Sequence, residues 1–273
     1  MSRQEAFDQY KATDGTPRFA PSCVLYFDVL GITAMATGPL AVAELPRLRS
    51  TLMRASERAG TEHASEPHAS TWFTDNVVIG SPLLRHVDRE GALLFTIVNV
   101  SYMQLILLDE GFLGRGAVAF GDHFMDDRFV FGPALIEAVC LEKSTMYPRI
   151  ALTPEAVQVV RDVAPDSGYG DPAESPVVRH LLCGDDDSVF VDVFGVWFSE
   201  EDNLDAINHL LPVHRRRIED GLKLTSDRAE VHAKWQWMAD YFNYAISGSD
   251  VPSEFKTEQS PGIHGFSPFR LPV

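Results

Sequence analysis

Two apolar runs of strand length in this chain each carry one carboxylate: Tyr26-Phe27-Asp28-Val29-Leu30-Gly31 and Trp72-Phe73-Thr74-Asp75-Asn76-Val77-Val78-Ile79-Gly80. An ionised Asp set among β-branched and aromatic side chains must find a cation or several donors, because a charge left unpaired in low dielectric costs several kcal/mol. Any fold for this chain must therefore bring both runs to places where that charge is met. Two arrangements satisfy the requirement. In one, the carboxylates come from neighbouring strand ends and hold Mg²⁺ or Mn²⁺ against substrate phosphates, since hard ions take oxygen ligands and keep positions open for substrate. In the other, one Asp caps a turn and the other pairs with an arginine.

With 273 residues the chain can bury a sizeable core, either as one large domain or as a domain with an appendage. Hydrophobic residues at 45% and charged residues at 23% point to neither a disordered nor a membrane class. A formal net charge of -16 argues against non-specific binding to nucleic acid or anionic membrane, so a phosphate ligand would need local help from a metal or an arginine. Met1 to Ala20 is polar, without the apolar core of a signal peptide, and Cys23, Cys140 and Cys183 show no paired spacing. A reducing, cytoplasmic setting is expected. The most apolar stretch, Leu93 to Leu108, is interrupted by Asn99, Ser101 and Gln104 and reads as a buried helix, not a membrane span. The nine histidines have no zinc-ligand spacing.

Along the chain, Ser22 to Phe27 reads as a central strand ending at Asp28 and Gly31, and Pro39 to Arg58 as a helix with Leu40, Leu45, Leu48 and Leu52 on one face. Thr61 to Ala69 reads as a loop. Thr71 to Phe73 and Val77 to Ile79 flank Thr74-Asp75-Asn76 as a hairpin, because Asp and Asn tolerate turn dihedrals. A helix from about Asp88 to Glu110 follows, then a second hairpin in which Leu113 to Phe120 and Arg128 to Phe131 surround Gly121-Asp122-His123. Gly132-Pro133 opens a helix, Arg149 to Leu152 is a strand, and Thr153 caps a helix reaching Arg161. This order predicts an α+β fold of ferredoxin-like type, its helices packed on one face of a mainly antiparallel sheet. Val177 to Leu182 and Val189 to Phe194 are expected to form a closing hairpin around Gly184-Asp185-Asp186-Asp187, with that acidic turn solvated. Asp202 to Ile246 is expected to be helical and the residues after Ser247 extended. The expected organisation is an N-terminal segment over 1–20, a catalytic domain over 21–200, a helical extension over 201–247 packed on that core, and a tail over 248–273.

Phe27-Asp28-Val29-Leu30-Gly31-Ile32-Thr33 resembles the first-strand metal motif of the class III nucleotide cyclases, in which Asp precedes an aliphatic residue whose carbonyl also touches metal. Asp75 matches the second metal Asp of that family, which lies between its second and third strands. Gly114-Arg115-Gly116-Ala117-Val118-Ala119-Phe120-Gly121 echoes its Arg-bearing strand, and Phe131-Gly132-Pro133-Ala134-Leu135-Ile136-Glu137-Ala138 its Gly-opened helix. The resemblance covers roughly residues 21–161. Adenylyl cyclases of the family carry Asn and Arg four and eight residues beyond that helix-opening Gly; Ile136 and Cys140 stand there in this chain. The region from Gly121-Asp122-His123 through Cys140-Leu141-Glu142 is instead similar to the pyrimidine cyclases of the Pycsar anti-phage systems. Lys234-Trp235-Gln236-Trp237-Met238-Ala239-Asp240-Tyr241-Phe242-Asn243 resembles a run of that same group, with Phe242 in place of a His.

The resemblance implies a class III cyclase core with a C-terminal hairpin and helical extension. It also implies a homodimer with composite active sites that converts UTP or CTP to the 3′,5′-cyclic monophosphate and pyrophosphate, which then activates a separate effector protein. Two divalent cations, Mn²⁺ or Mg²⁺, would be held by Asp28, Asp75 and the Val29 carbonyl. Leu30 and Gly31 would offer backbone N–H groups to the triphosphate. Arg115 would supply bidentate donors to phosphate, or alternatively pair with Glu110 or Asp122. Thr71, near the place where purine cyclases carry a base-selecting Lys, would meet the base edge. Asp122, Glu137 and Glu142 are read as structural or surface groups, Trp235 and Trp237 as core or dimer contacts, and His214-Arg215-Arg216-Arg217 as a solvated, Glu-paired face. Two other functions stay open: a purine cyclase, and a non-catalytic cyclase-like module that binds nucleotide and signals by dimerisation.

Overall fold

The computed structural model describes residues 3–39, 41–61, 68–83, 88–201, 204–249 and 251–271. In chain order the elements are α1 (Arg3–Asp8), β1 (Ala20–Val29), α2 (Ile32–Thr37), α3 (Ala41–Thr61), β2 (Ala69–Phe73), β3 (Asn76–Pro82), α4 (Arg89–Asp109), β4 (Gly114–Met125), β5 (Val130–Phe131) and α5 (Pro133–Ser144). There follow β6 (Ile150–Leu152), α6 (Pro154–Val163), α7 (Pro176–Arg179), β7 (Leu181–Gly184), β8 (Val189–Val191), α8 (Val193–Glu200), α9 (Leu204–Leu224), α10 (Ala229–Ser247) and β9 (Phe266–Pro268). Of the loop expected over 61–69, residues 62–67 lie outside the described residues.

One sheet runs in the order β2-β3-β1-β4-β6-β8-β7-β9, with β5 paired to β4. Its first four strands are mutually antiparallel. With α3 between β1 and β2, and α4 between β3 and β4, they make the β-α-β-β-α-β unit of a ferredoxin-like fold, as the element order predicted. β4 and β6 pair in parallel, and the remaining pairs are antiparallel.

Alternation along β1 decides which side chains face which layer. Cys23, Leu25, Phe27 and Val29 join Val77, Ile79, Val118 and Phe120 in the main core, together with Leu93, Ile97, Val100, Met103 and Leu107 of α4. α4 is apolar on nearly all sides because it is buried on nearly all sides. Among the described residues it is the one helix long and apolar enough to cross a membrane, and most of it lies inside the fold. The opposite sheet face, with Val24, Val78, Ala117 and Ala119, packs on Ala134 and Ala138 of α5. Helices therefore cover both faces. The expectation of one covered face fails at α5, whose small residues allow close approach to β1 and β4.

Small residues in β4 have a packing cause. A Cβ on Gly114 would stand 2.0 Å from Phe27 Cζ and 2.6 Å from Gln104 Oε1. The Phe27 ring occupies that space and Gln104 Nε2 donates to the Gly114 carbonyl at 3.1 Å. Gly114→Ala is expected to destabilise the fold by about 3 kcal/mol, since an extra methyl group in a filled core forces backbone or ring movement. A urea titration tests this; a change below about 0.5 kcal/mol would contradict the packing.

Three segments differ from the sequence reading. Gly121-Asp122-His123 lies within the continuous strand β4; the hairpin turn comes later, where Asp126 accepts from the N–H groups of Arg128 and Phe129. Gly121, at φ 153°, lets the strand bend without ending. Val177 and Val178 belong to α7, because Pro176 pre-sets a first helical turn, and Val193 and Phe194 begin α8 beneath the N-cap Asp192. The tail is not free: Phe266–Pro268 adds β9 to the edge of β7, and the loop before it is gathered by Asp240, whose carboxylate accepts from the N–H groups of Gly262, Ile263 and His264.

Candidate active site

β1 is the central strand, and its C-terminal end is where the two carboxylates meet. In register, Asp28 stands between Asn76 of β3 and Arg115 of β4. Tyr26, two residues earlier on the same face, stands between Val78 and Ala117, and Val78 in turn pairs with Thr71 of β2. Asp28, Tyr26, Asn76, Arg115 and Thr71 thus share one sheet face.

Asp75 arrives by a turn. Thr74 adopts φ 56°, an unusual conformation for a β-branched residue, and the turn is tied to the strand end by the Val29 N–H, which donates to the Asp75 carbonyl at 3.1 Å. The Asn76 amide donates to the Asp75 carboxylate at 3.1 Å and to Thr74 Oγ1 at 3.2 Å, while its own carbonyl accepts from the Tyr26 hydroxyl. The hairpin expected around Thr74-Asp75-Asn76 is present, with Asp75 in its turn.

Asp28 is half-buried, and among the described residues no donor or basic group is bonded to its carboxylate. Burial, then the nearby charges of Asp75 and Glu142, push its pKa up to about 6, against the opposing pull of Arg115 and Lys234. Two carboxylates gathered with too few donors are a site that gains from a cation. The donor set fits a hard divalent ion: two carboxylates, with the backbone carbonyl of Val29 at the strand end beside them. Among the described residues no group of three or more His, Cys, Asp or Glu side chains is placed to hold a metal ion.

Arg115 pairs with neither Glu110 nor Asp122. Its Nε donates to Glu142 of α5, and its Nη1 to the Thr145 carbonyl at 2.6 Å. Glu142 is only 2% exposed, so this is a buried ion pair that also pins the C-terminal end of α5 to β4. The Leu30 N–H is likewise committed, to the Leu113 carbonyl at 2.8 Å. That leaves Gly31, at φ 87° and with open space where a Cβ would be, as the residue of this pair whose backbone faces an opening. Among the described residues Thr71 Oγ1 is buried without a partner, as is Trp72 Nε1 on the opposite face of the sheet.

No family model and no curated protein matches the chain. Among solved structures it is similar to the adenylyl cyclase CyaB from P. aeruginosa (TM-score 0.44, 14% identity, over 54% of this chain and 83% of that one). It is also similar to the guanylyl cyclase Cya2 (TM-score 0.42, 12% identity, 52% and 78%). A third likeness, to a class III adenylyl cyclase-like ATP-binding protein from Pseudomonas aeruginosa, extends over 97% of this chain and 81% of that one at TM-score 0.41 and 12% identity.

Other candidates separate from the site. Asp186 is held by Arg149 Nη1 at 3.0 Å and by Ser188, so the acidic turn is an ion-paired loop. Trp235 and Trp237 are core residues, Trp237 stacking on Tyr147. In the basic run of α9, Arg215 and Arg216 pair with Glu219 and Asp220 as expected, but His214 is fully buried against Asp109 at 2.6 Å and Arg217 binds the Asp109 carbonyl. Ile136 is 55% exposed on α5, and Cys140, one turn on, is exposed as well. Sequence reasoning missed Tyr26 and Asn76, although the period of two from Asp28 and the neighbour of Asp75 pointed to them.

Proposed function

We propose that this chain is a class III-type nucleotide cyclase that converts a pyrimidine nucleoside triphosphate, UTP in preference to CTP, to its 3′,5′-cyclic monophosphate and pyrophosphate. One observation carries the reading: a ferredoxin-like sheet brings Asp28, at the end of its central strand, against Asp75 in the β2–β3 turn, and among the described residues no donor is bonded to the Asp28 carboxylate. In the reaction the ribose 3′-oxygen forms a bond to the α-phosphorus, the bond from that phosphorus to the β-phosphate oxygen breaks, and the hydroxyl proton is lost. Two divalent cations, Mn²⁺ or Mg²⁺, held by Asp28, Asp75 and the Val29 carbonyl, would supply neutralisation of the phosphate oxygens and a lowered pKa for the 3′-hydroxyl.

The protein's own groups do the rest. Asn76 and Tyr26 hold the turn that carries Asp75, so the spacing of the two carboxylates is set before substrate arrives. The Gly31 backbone, open to solvent, suits close approach of a phosphate. The base contact is assigned to Thr71, which lies on the Asp28 face of the sheet and carries a hydroxyl that can both donate to and accept from a pyrimidine edge. In this reading Arg115 reaches phosphate through Nη2 and the second N–H of Nη1, its Nε–H and one Nη1–H being held by Glu142 and the Thr145 carbonyl. A homodimer would complete each site, and the cyclic product would act on a separate effector in anti-phage defence.

The test is incubation of purified protein with Mn²⁺ and each of the four NTPs, with products read by mass spectrometry. Cyclic UMP is the expected main product, with less cyclic CMP. Cyclic AMP or GMP as main product would make the chain a purine cyclase. No cyclic monophosphate from any NTP, even at high protein concentration, would leave only the non-catalytic nucleotide-binding module.

A further inference from the structure

Arg161 in the last turn of α6, Arg179 in the last turn of α7 and Arg270 just beyond β9 line one cavity of about 740 Å³. Among the described residues none of these three guanidinium groups has a hydrogen bond or an ion pair. Elsewhere arginines meet carboxylates, as Arg47, Arg54, Arg149 and Arg215 do. Asp171 is the only carboxylate in the cavity lining among the described residues, and its side chain accepts from the Ala173 N–H at 2.9 Å. Other acids close by are turned elsewhere or stand outside. Asp162, next to Arg161, accepts from Gln158 Nε2 at 2.8 Å, and Glu200 faces the His180 imidazole at 3.6 Å. Asp166 and Glu174 lie outside the lining and within ion-pairing distance of none of the three arginines. A helix C-terminus favours a cation, which accounts for Arg161 and Arg179 singly but not for their meeting Arg270 in one cavity.

Charge and shape together define what would fill it. Three positive charges against one negative leave the lining at +2, in a chain whose net charge is -16. A phosphate monoester matches that excess, because it carries a charge of about -1.5 to -2 at neutral pH and three strong acceptor oxygens. Guanidinium groups take such oxygens in bidentate fashion. The floor is apolar: Val178 and Phe269 are buried, and Pro172, Pro268 and Leu271 continue the wall. The Phe269 N–H donates to the Leu181 carbonyl at 3.0 Å, which extends the β9–β7 pairing and fixes this floor to the sheet edge. Inorganic phosphate would leave the floor and most of the volume unused, whereas a cavity of this size suits a small organic ligand.

We propose that this cavity binds the phosphate ester of a small organic molecule, with Arg161, Arg179 and Arg270 gripping the phosphate and the Val178–Phe269 floor covering the organic body. It is a second site, apart from Asp28 and Asp75: β9 lies five strand steps from β1 across the sheet, about 24 Å at the usual strand spacing. The proposal does not depend on the cyclase reading. It also gives the residues after Ser247 a task, since they supply one of the arginines and part of the floor.

The experiment is titration calorimetry of the full chain with phenyl phosphate, in buffer with a chelator so that no divalent cation draws the probe to Asp28 and Asp75. Wild-type protein is expected to bind it, and to bind inorganic phosphate at least about tenfold more weakly, since the bare ion covers no apolar surface. Arg179→Gln and Arg270→Gln are each expected to weaken phenyl phosphate binding by about ten- to a hundredfold, the range for loss of a charge-assisted contact. All three arginines are exposed, so these variants should melt as wild type does; Arg161→Gln repeats the test should either fail to give a cooperative transition. Arg128→Gln, exposed and paired only with Asp127 in the β4–β5 turn, is expected to bind as wild type and controls for the change in net charge. Absence of binding by wild-type protein, or binding that the arginine substitutions leave unchanged, would overturn the site. Inorganic phosphate bound as tightly as phenyl phosphate, or the dicarboxylate phthalate bound more tightly, would overturn its assignment to a phosphate ester.

Discussion

Asp28→Asn is expected to abolish cyclic nucleotide formation, by at least about 10³-fold, and at the same time to make the metal-free protein more stable. The second effect follows from the direction of the pKa shift. Burial and the Asp75 charge raise the Asp28 carboxyl from 3.8 to about 6, so the folded chain holds a proton that the unfolded chain has lost between those values. Stability therefore falls as pH rises from about 4 to about 6, and the loss is complete above that window. At about 1.4 kcal/mol per pH unit the loss would be about 3 kcal/mol for a buried group; half-exposed and screened by solvent, Asp28 carries about 1 kcal/mol. Asn cannot ionise and escapes this term. In chelator at pH 7.5 the variant should melt about 2–4 °C above wild type, with the difference vanishing near pH 4. Adding Mn²⁺ should reverse the order, raising the wild-type transition and leaving the variant unmoved. A variant that melts below wild type without metal, or Mn²⁺ that shifts both alike, would remove Asp28 from the proposed metal site.

This opposition between stability and cation binding explains what was legible in the sequence. Asp28 and Asp75 stood out because a strand of Val, Leu and aromatic residues has no local use for a carboxylate, and the element order then set the two runs on adjacent strands. β1, the β2–β3 hairpin, α4 and α5 were likewise readable, since length, period and capping residues are local properties. Segments whose conformation depends on distant partners were not. Nothing local tells that Phe266 to Pro268 finds the free edge of β7, and a Gly-Asp-His triplet reads as a turn unless one knows that its residues stay paired with Ser22, Pro21 and Ala20 of β1.

The same division runs through the site. Tyr26 was within reach of the strand period, because residues two apart share a face. Glu142 was visible only as one more polar residue on α5, and Lys234 only as part of a resemblance; their approach to Asp28 is created by packing of α5 on β4 and of α10 beside the end of β1. The sequence reading sought the partner of Arg115 among its neighbours, Glu110 and Asp122. The partner came from the next helix, because the small residues of β4 and α5 bring the two elements close.

Arg115→Ala should accordingly be among the most destabilising substitutions in the chain. It strands Glu142, 2% exposed, without a counter-charge, and takes a donor from the Thr145 carbonyl. Removing one partner of a buried pair costs about 3–5 kcal/mol. That corresponds to a melting transition lowered by about 10 °C. Loss of activity in this variant would therefore say little about phosphate binding. The informative protein is the double substitution Arg115→Leu with Glu142→Leu, which removes both charges together; replacing a buried pair by apolar side chains is often neutral. It also deletes one group that lowers the Asp28 pKa and one that raises it, so the titration of Asp28 should move little. A double variant as stable as wild type but at least tenfold slower would assign the remaining N–H groups of Arg115 to substrate. If the double variant turned over at the wild-type rate, the arginine would serve the fold alone.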